Sequence, residues 1–242
     1  QNFRQNALLA IGIFLAILGF IIHRKRVDAA HIKDKLSFSD ELTGLPNRRF
    51  VFMTIDHDVA NSLRKYQDGI KAGTSAKYAD LIFSEVHLDD FKKISEKNGR
   101  AAGDEFLKQV GALLQSACRA TDTIVRWGEE EFLIISRFSN REAASLIAER
   151  FRKLIGKSAF MIDEQLLHCT CSIGFAAYPF VPSNPDTFNW EQVIAFANRS
   201  LVASKRSGRD AWVGLLTTEK GSLKDFEAGN FANLRKWIDQ GE

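Results

Sequence analysis

Residues 126–132 read Arg126-Trp127-Gly128-Glu129-Glu130-Glu131-Phe132, and how they are read decides the fold. They lie between two apolar runs, Thr123-Ile124-Val125 and Leu133-Ile134-Ile135. Short β-branched runs joined by a tight polar turn predict a β-hairpin. Gly128, which takes φ > 0 at no steric cost, marks the turn. Glu129, Glu130 and Glu131 then crowd like charges at the tip. A protein tolerates such crowding most readily where a cation will sit. Taken alone the cluster reads as an exposed acidic loop, and it is the remainder of the chain that shifts the reading.

Working outward, Ala101 to Ala120 has helical spacing, with Phe106, Val110, Leu113 and Leu114 on one side. Asp80 to Leu88 is a buried strand by its content of Leu81, Ile82, Phe83, Val86 and Leu88. Asp89-Asp90 after it predicts a helix start, because Asp is favoured at an N-cap. Phe50 to Lys71 predicts a helix with Phe52, Ile55, Val59 and Leu63 on its apolar face, preceded by a break at Gly44 and Pro46. Downstream, Arg141 to Lys157 is a helix, Leu166 to Tyr178 one long strand, Trp190 to Arg206 a helix and Ala211 to Leu216 a last strand. Strands alternating with helices, interrupted by one hairpin, predict an α/β domain over residues 40–216. Its mixed central sheet is covered by helices.

The flanks read differently. Ala7 to Ile22 is uninterrupted apolar sequence, a little short of the roughly 20 residues of a spanning helix. His23-Arg24-Lys25-Arg26 follows directly, which places the downstream part in the cytoplasm. Residues 1–26 are therefore expected to be a transmembrane helix with a basic flank. Residues 27–39 are expected to be a linker helix able to pair with a second copy. The tail, residues 217–242, is polar with spaced Leu223, Phe226, Phe231, Leu234 and Trp237, and reads as a short docked helix. A first residue of Gln1 leads to the expectation that an upstream domain precedes this piece.

Composition narrows the function classes. With 45% hydrophobic residues the 242-residue chain can bury a full core. A net charge of +3 argues against a dedicated nucleic-acid binder. Cys118, Cys169 and Cys171, an odd count without metal-ligand spacing, point to a reducing compartment and no disulfide framework. Cys169 and Cys171 alternate along a strand and are read as core.

In order along the chain stand Asp40-x-Leu42-Thr43-Gly44-Leu45-x-Asn47-Arg48-Arg49, a strand followed by Asp89-x-Phe91-Lys92, then Gly103-Asp104, Arg126-Trp127-Gly128-x-Glu130-Glu131-Phe132, and Lys205-x-x-Gly208-Arg209. From Asp40 to about Leu216 this resembles the GGDEF family of diguanylate cyclases. The resemblance implies a homodimer in which each subunit holds one GTP, and two 3′-hydroxyls attack two α-phosphates to give cyclic di-GMP. Positioning and metal-borne charge supply most of such catalysis. It also implies a location at the bacterial inner membrane with the GGDEF domain in the cytoplasm.

Carried over residue by residue, the resemblance implies Mg²⁺ (or Mn²⁺) held at His87, the Leu88 carbonyl, Glu130 and Glu131, the two glutamates being catalytic. Ser95 and Asp104 would read guanine, and Lys92, Lys205 and Arg209 would hold phosphates. Arg119 and Asp122 would form an inhibitory product site. Three positions depart from the family. His87 replaces a metal-binding Asp, and imidazole is a poor ligand for Mg²⁺. Glu129 replaces a glycine beside the phosphates, where one like-charge contact at about 4 Å costs up to about 4 kcal/mol. Ser95 replaces an Asn, leaving a polar edge of the base unpaired.

Each assignment has a plainer alternative. His87 caps the strand, Lys205 and Arg209 form a solvated basic face, and Arg119 and Asp122 form an i,i+3 ion pair. The expectation is a degenerate member that binds cyclic di-GMP or GTP and signals through dimer contacts. An active cyclase and a nucleotide-free interaction module are the alternatives.

Overall fold

Five strands build the central sheet: β1 (Asp80–Leu88), β2 (Thr123–Arg126), β3 (Glu131–Ser139), β6 (Cys171–Tyr178) and β7 (Trp212–Leu215). Their spatial order is β2-β3-β1-β6-β7. All neighbours are antiparallel except β6 and β7, which run parallel. The computed structural model describes residues 38–217 and the isolated position Arg24. The chain divides into units Gln1–Phe38 and Ser39–Glu242, and this sheet belongs to the second. The apolar run at 7–22, most of the linker and the tail beyond 217 lie outside the described residues. Among the described residues, no helix is long and apolar enough to cross a membrane.

The helices are α1 (Arg48–Ala72), α2 (Phe91–Asn98), α3 (Arg100–Ala117), α4 (Ala144–Lys157) and α5 (Trp190–Arg206). Successive side chains of a strand point to opposite faces, so β1 serves two cores. Ile82, Val86 and Leu88 pack with Phe106 and Val110 of α3 and Phe151 of α4. Leu81 and Phe83 pack with Val51 and Ile55 of α1 and Val193 and Ala197 of α5. The mixed sheet covered by helices is the architecture expected.

Two elements differ from the sequence reading. On α1 the buried positions are Val51, Ile55, Ser62, Tyr66 and Gly69, while Phe52 is 44% exposed. The face is turned because Phe52 sits at its rim, edge-on to Trp190 with ring centroids 5.1 Å apart. The long strand from Leu166 is also divided. A separate hairpin of β4 (Phe160–Ile162) and β5 (Gln165–Leu167) precedes β6. Asp163 and Glu164, at φ 44° and 64°, make its two-residue turn. Apolar content continued across the break and hid it. Cys169 and Cys171 are free, buried and part of the core, as expected. Burial pushes the Cys169 thiol up to about 12 and Cys171 well above its ordinary value.

The seat of α5 on the sheet is set at Gly174 of β6. A Cβ there would stand 2.1 Å from both the Ala197 carbonyl oxygen and the Leu201 amide nitrogen. Helix backbone thus lies directly on strand backbone, which only glycine permits. Gly174→Ala is expected to cost about 3 kcal/mol or more through forced displacement of α5. Gly156→Ala, whose Cβ would meet nothing nearer than Asp210 Oδ1 at 3.9 Å, should be neutral or stabilise by up to about 1 kcal/mol. Urea denaturation of the two variants measures both.

Candidate functional site

The site forms at the end of β1 where the β2–β3 hairpin, the start of α2 and the end of α5 converge. Residues 40–47 seat the hairpin. The Asp40 carboxylate accepts from the Thr43 amide at 2.8 Å and hydroxyl at 2.6 Å, and Gly44 turns the chain at φ 70°. Asn47 caps α1 by accepting from the Phe50 amide at 3.2 Å. The Arg126 amide donates to the Pro46 carbonyl at 2.8 Å, which joins this turn to the hairpin. Arg126 is itself buried. Its guanidinium donates to the Glu129 carbonyl and lies over the Phe132 ring at 4.8 Å. Arg48 stands over Trp127 at 4.6 Å.

At the tip, the amides of Trp127 and Gly128 donate to the Glu131 carbonyl at 2.9 and 3.2 Å. Gly128 does not take φ > 0, contrary to the sequence reading. A Cβ there would stand 2.9 Å from Glu131 Oε2, the mobile end of a side chain that can move aside. Glu129 is exposed, and its charge adds to the rise that burial gives Glu130.

His87 lies opposite Glu131 in the β1–β3 register, within the strand rather than capping it. Its Nε2 is 3.0 Å from Glu130 Oε1. Burial, and Lys205 after it, push the His87 pKa down, while burial pushes Glu130 up. The contact is therefore a hydrogen bond from a neutral ring rather than an ion pair, and Nδ1 is buried with no partner among the described residues. Two residues earlier on the same face stands Glu85, 2% exposed, accepting from Asn198 Nδ2 of α5 at 2.8 Å. Lys205 faces this group. Burial pulls its pKa down, and Glu131, Glu130, Asp89 and Glu85 pull it back up.

Asp89 was read as a helix start and has another role. It is 5% exposed, and its carboxylate accepts from the hydroxyls of Thr170 and Ser172, both at 2.7 Å, and from the Asp210 amide at 3.0 Å. Asp90, at φ 55°, makes no side-chain cap and pairs with Lys93 at 3.0 Å. No local signal marks Asp89, because its partners are 81 to 121 positions away.

The remaining predicted residues fall into two groups. Ser95 of α2 packs on Gly103 of α3, where a Cβ would stand 2.7 Å from Ser95 Oγ, and half-buried Asp104 follows directly. Lys92 is exposed on α2 and 3.9 Å from Glu96. Arg209 is exposed and close enough to Asp90 to lower its pKa after Lys93. Arg119 and Asp122 lie elsewhere, before β2. They form a turn rather than an ion pair, with Asp122 Oδ2 accepting from the Arg119 amide at 3.1 Å. The structure adds exposed Arg150 of α4, which opposes the rise that burial and then Asp122 give to the half-buried Cys118 thiol. Only the tertiary fold brings it there.

The donor set fits a Mg²⁺ ion poorly. Among the described residues no group of three or more His, Cys, Asp or Glu side chains could hold a metal. Glu130 and Glu131 are hard oxygen donors, but the third side chain beside them is the imidazole of His87, which occupies an oxygen of Glu130.

A family model described as "Diguanylate cyclase, GGDEF domain" matches residues 37–211. The chain is similar to diguanylate cyclase DgcP of Pseudomonas aeruginosa, 32% identical over 75% of this chain and 25% of the relative. It is similar to response regulator PleD of Caulobacter vibrioides, 33% identical over 74% of this chain and 36% of that protein. It therefore spans about a quarter to a third of the length of these relatives. The fold resembles the crystal structure of the GGDEF domain of DgcB from Caulobacter crescentus in complex with c-di-GMP. There the TM-score is 0.57 and the identity 23%, over 73% of this chain and 92% of that one.

Burial raises the Glu85 carboxyl to about 7 from an ordinary 4.5, with Glu131 adding to the rise and Asn198, Arg48 and Lys205 opposing it. Between those values the folded state keeps a proton that the unfolded state has lost. Stability is thus full below the unfolded value and falls as pH rises through the folded one. Glu85→Gln, which keeps the bond to Asn198, is expected to match the unaltered chain near pH 5 and to exceed it by about 2 kcal/mol near pH 8. Urea midpoints at the two pH values check this.

Proposed function

The chain belongs to the diguanylate cyclase GGDEF domain family, and from that premise we propose that it is a membrane-anchored member of cyclic di-GMP signalling with impaired cyclase chemistry. On this reading it binds cyclic di-GMP or GTP and signals through contacts in a homodimer. The observation that carries it is His87. A neutral imidazole, hydrogen-bonded to Glu130, stands where a carboxylate would hold the metal, while the cations Lys205 and Arg209 and the base-side Asp104 are retained. Nucleotide binding keeps its charge complement, and the metal loses part of its own. A Mg²⁺ or Mn²⁺ ion brought in with a nucleotide would meet Glu130, Glu131 and the Leu88 carbonyl.

Product would be taken by Arg119 and Asp122, joined by Arg150. An arginine fork stacks on and hydrogen-bonds guanine, and a carboxylate accepts from its donor edge. The apolar run at 7–22 and its basic flank support anchoring in a bacterial inner membrane with this domain on the cytoplasmic side.

Incubation of the chain with GTP and Mg²⁺ or Mn²⁺, followed by chromatography for cyclic di-GMP, tests the reading. The unaltered chain should yield none, and a chain carrying His87→Asp, Ser95→Asn and Glu129→Gly should yield product. Product from the unaltered chain would favour a working diguanylate cyclase converting two GTP to cyclic di-GMP and two diphosphates. The retained Glu130 and Glu131 speak for that second reading. Arg119→Ala is expected to weaken cyclic di-GMP binding about tenfold or more by calorimetry. A melting temperature unmoved by either nucleotide would leave a nucleotide-free interaction module.

A further inference from the structure

The loop after α5 runs through Gly208, Arg209 and Asp210 with φ of 118°, 65° and 43°. Two of these residues are not glycine, so the turn is held by its surroundings rather than by local preference. The Asp210 amide donates to Asp89 Oδ2 at 3.0 Å. Arg152 Nη1, from α4, donates to the Asp210 carboxylate at 2.6 Å and to its carbonyl at 3.3 Å. Arg152 is aimed by Glu149, whose two oxygens accept from its Nε and Nη2 at 2.8 and 2.9 Å. Trp212 Nε1 donates to the same Glu149 at 3.1 Å. On the far side of Asp210, the Ala211 carbonyl accepts from the Ile173 amide at 2.9 Å and the Ser204 hydroxyl at 2.7 Å.

One planar guanidinium therefore reaches two carboxylates at once, which a lysine ammonium does poorly. What it braces is the residue next to Asp210. Arg209 is the exposed cation of the loop, and its charge, after that of Lys93, is felt by Asp90 at the start of α2.

We propose that Arg152 is a positioning residue for phosphate binding, holding through Asp210 and Asp89 the left-handed turn that presents Arg209. This rests on the reading of Lys205 and Arg209 as phosphate ligands given above. Arg152 acts on the nucleotide through Arg209.

The test uses the full chain with GTP as the probe. Affinity is measured by calorimetry for the unaltered chain, Arg152→Ala, Arg152→Lys, Arg209→Ala and the Arg152→Ala/Arg209→Ala double variant. Melting temperature and amide exchange over residues 207–211 are followed in parallel. Arg152→Ala and Arg209→Ala should each weaken GTP about tenfold, as the loss of a charge-assisted hydrogen bond does. The double variant should bind no more weakly than Arg209→Ala alone, because the first residue works through the second. Arg152→Lys should recover only part of the loss, and exchange at residues 207–211 should rise in Arg152→Ala. Unchanged GTP affinity in Arg152→Ala beside a weakened Arg209→Ala would overturn this inference alone. Fully additive losses in the double variant would also overturn it, since they mark a general structural effect. Absence of GTP binding by the unaltered chain would overturn the phosphate reading and this inference together. Unchanged exchange at residues 207–211 in Arg152→Ala would refute the brace with or without nucleotide.

Discussion

Asp89 brings a carboxylate to a place almost closed to water, and three donors from two distant parts of the chain converge on it. A buried charge without such partners costs far more than any one hydrogen bond returns, so the four groups stand or fall together. The hydroxyls of Thr170 and Ser172 fix where β6 begins beside β1. The Asp210 amide fixes where the chain enters β7. The far end of β1 is held in the same way, by buried Asp80, which pairs with Arg141 at 2.7 Å and accepts from the Tyr66 hydroxyl at 2.5 Å. The central strand is thus pinned at both ends by carboxylates, with apolar side chains on both faces between them.

The chemistry of the site follows from where that strand ends. Glu85 and His87 share a face of β1, Glu130 and Glu131 approach from the hairpin, and Lys205 comes from α5 at a height set by the contact at Gly174. Lys205 is a half-buried cation among carboxylates, and burial strengthens each interaction it makes. His87 changes that balance. An imidazole bonded to Glu130 puts one fewer negative charge at this end of the strand than a carboxylate would, while Lys205 still faces Glu85, Glu130 and Glu131. On the proposed reading, binding and turnover rest on different residues, and a substitution lowers one without the other.

Most elements were legible in the sequence because their signals are local. The strand Asp80–Leu88 and the helix Trp190–Arg206 have the expected bounds, and the runs around Gly128 pair as expected, although β3 runs from Glu131 to Ser139. Residue identities at the site were legible through the order and spacing of motifs. Where the reading failed, residue type alone did not decide the local geometry. Gly128 marks the turn, but it does so without the positive φ that its residue type suggests. Leu166 to Tyr178 was taken as one strand because its apolar content continues across a change of pairing partner.

The sequence by itself therefore determined the family, the alternation of strands and helices, and which side chains could do chemistry, since periodicity and motif spacing are written along the chain. Tertiary structure alone decided that Asp89 is a buried hub, that Arg150 comes within electrostatic reach of Cys118, and that Arg152 bonds to Asp210 beside Arg209. These facts depend on contacts between residues tens of positions apart, and such contacts exist only once the sheet has set the distances.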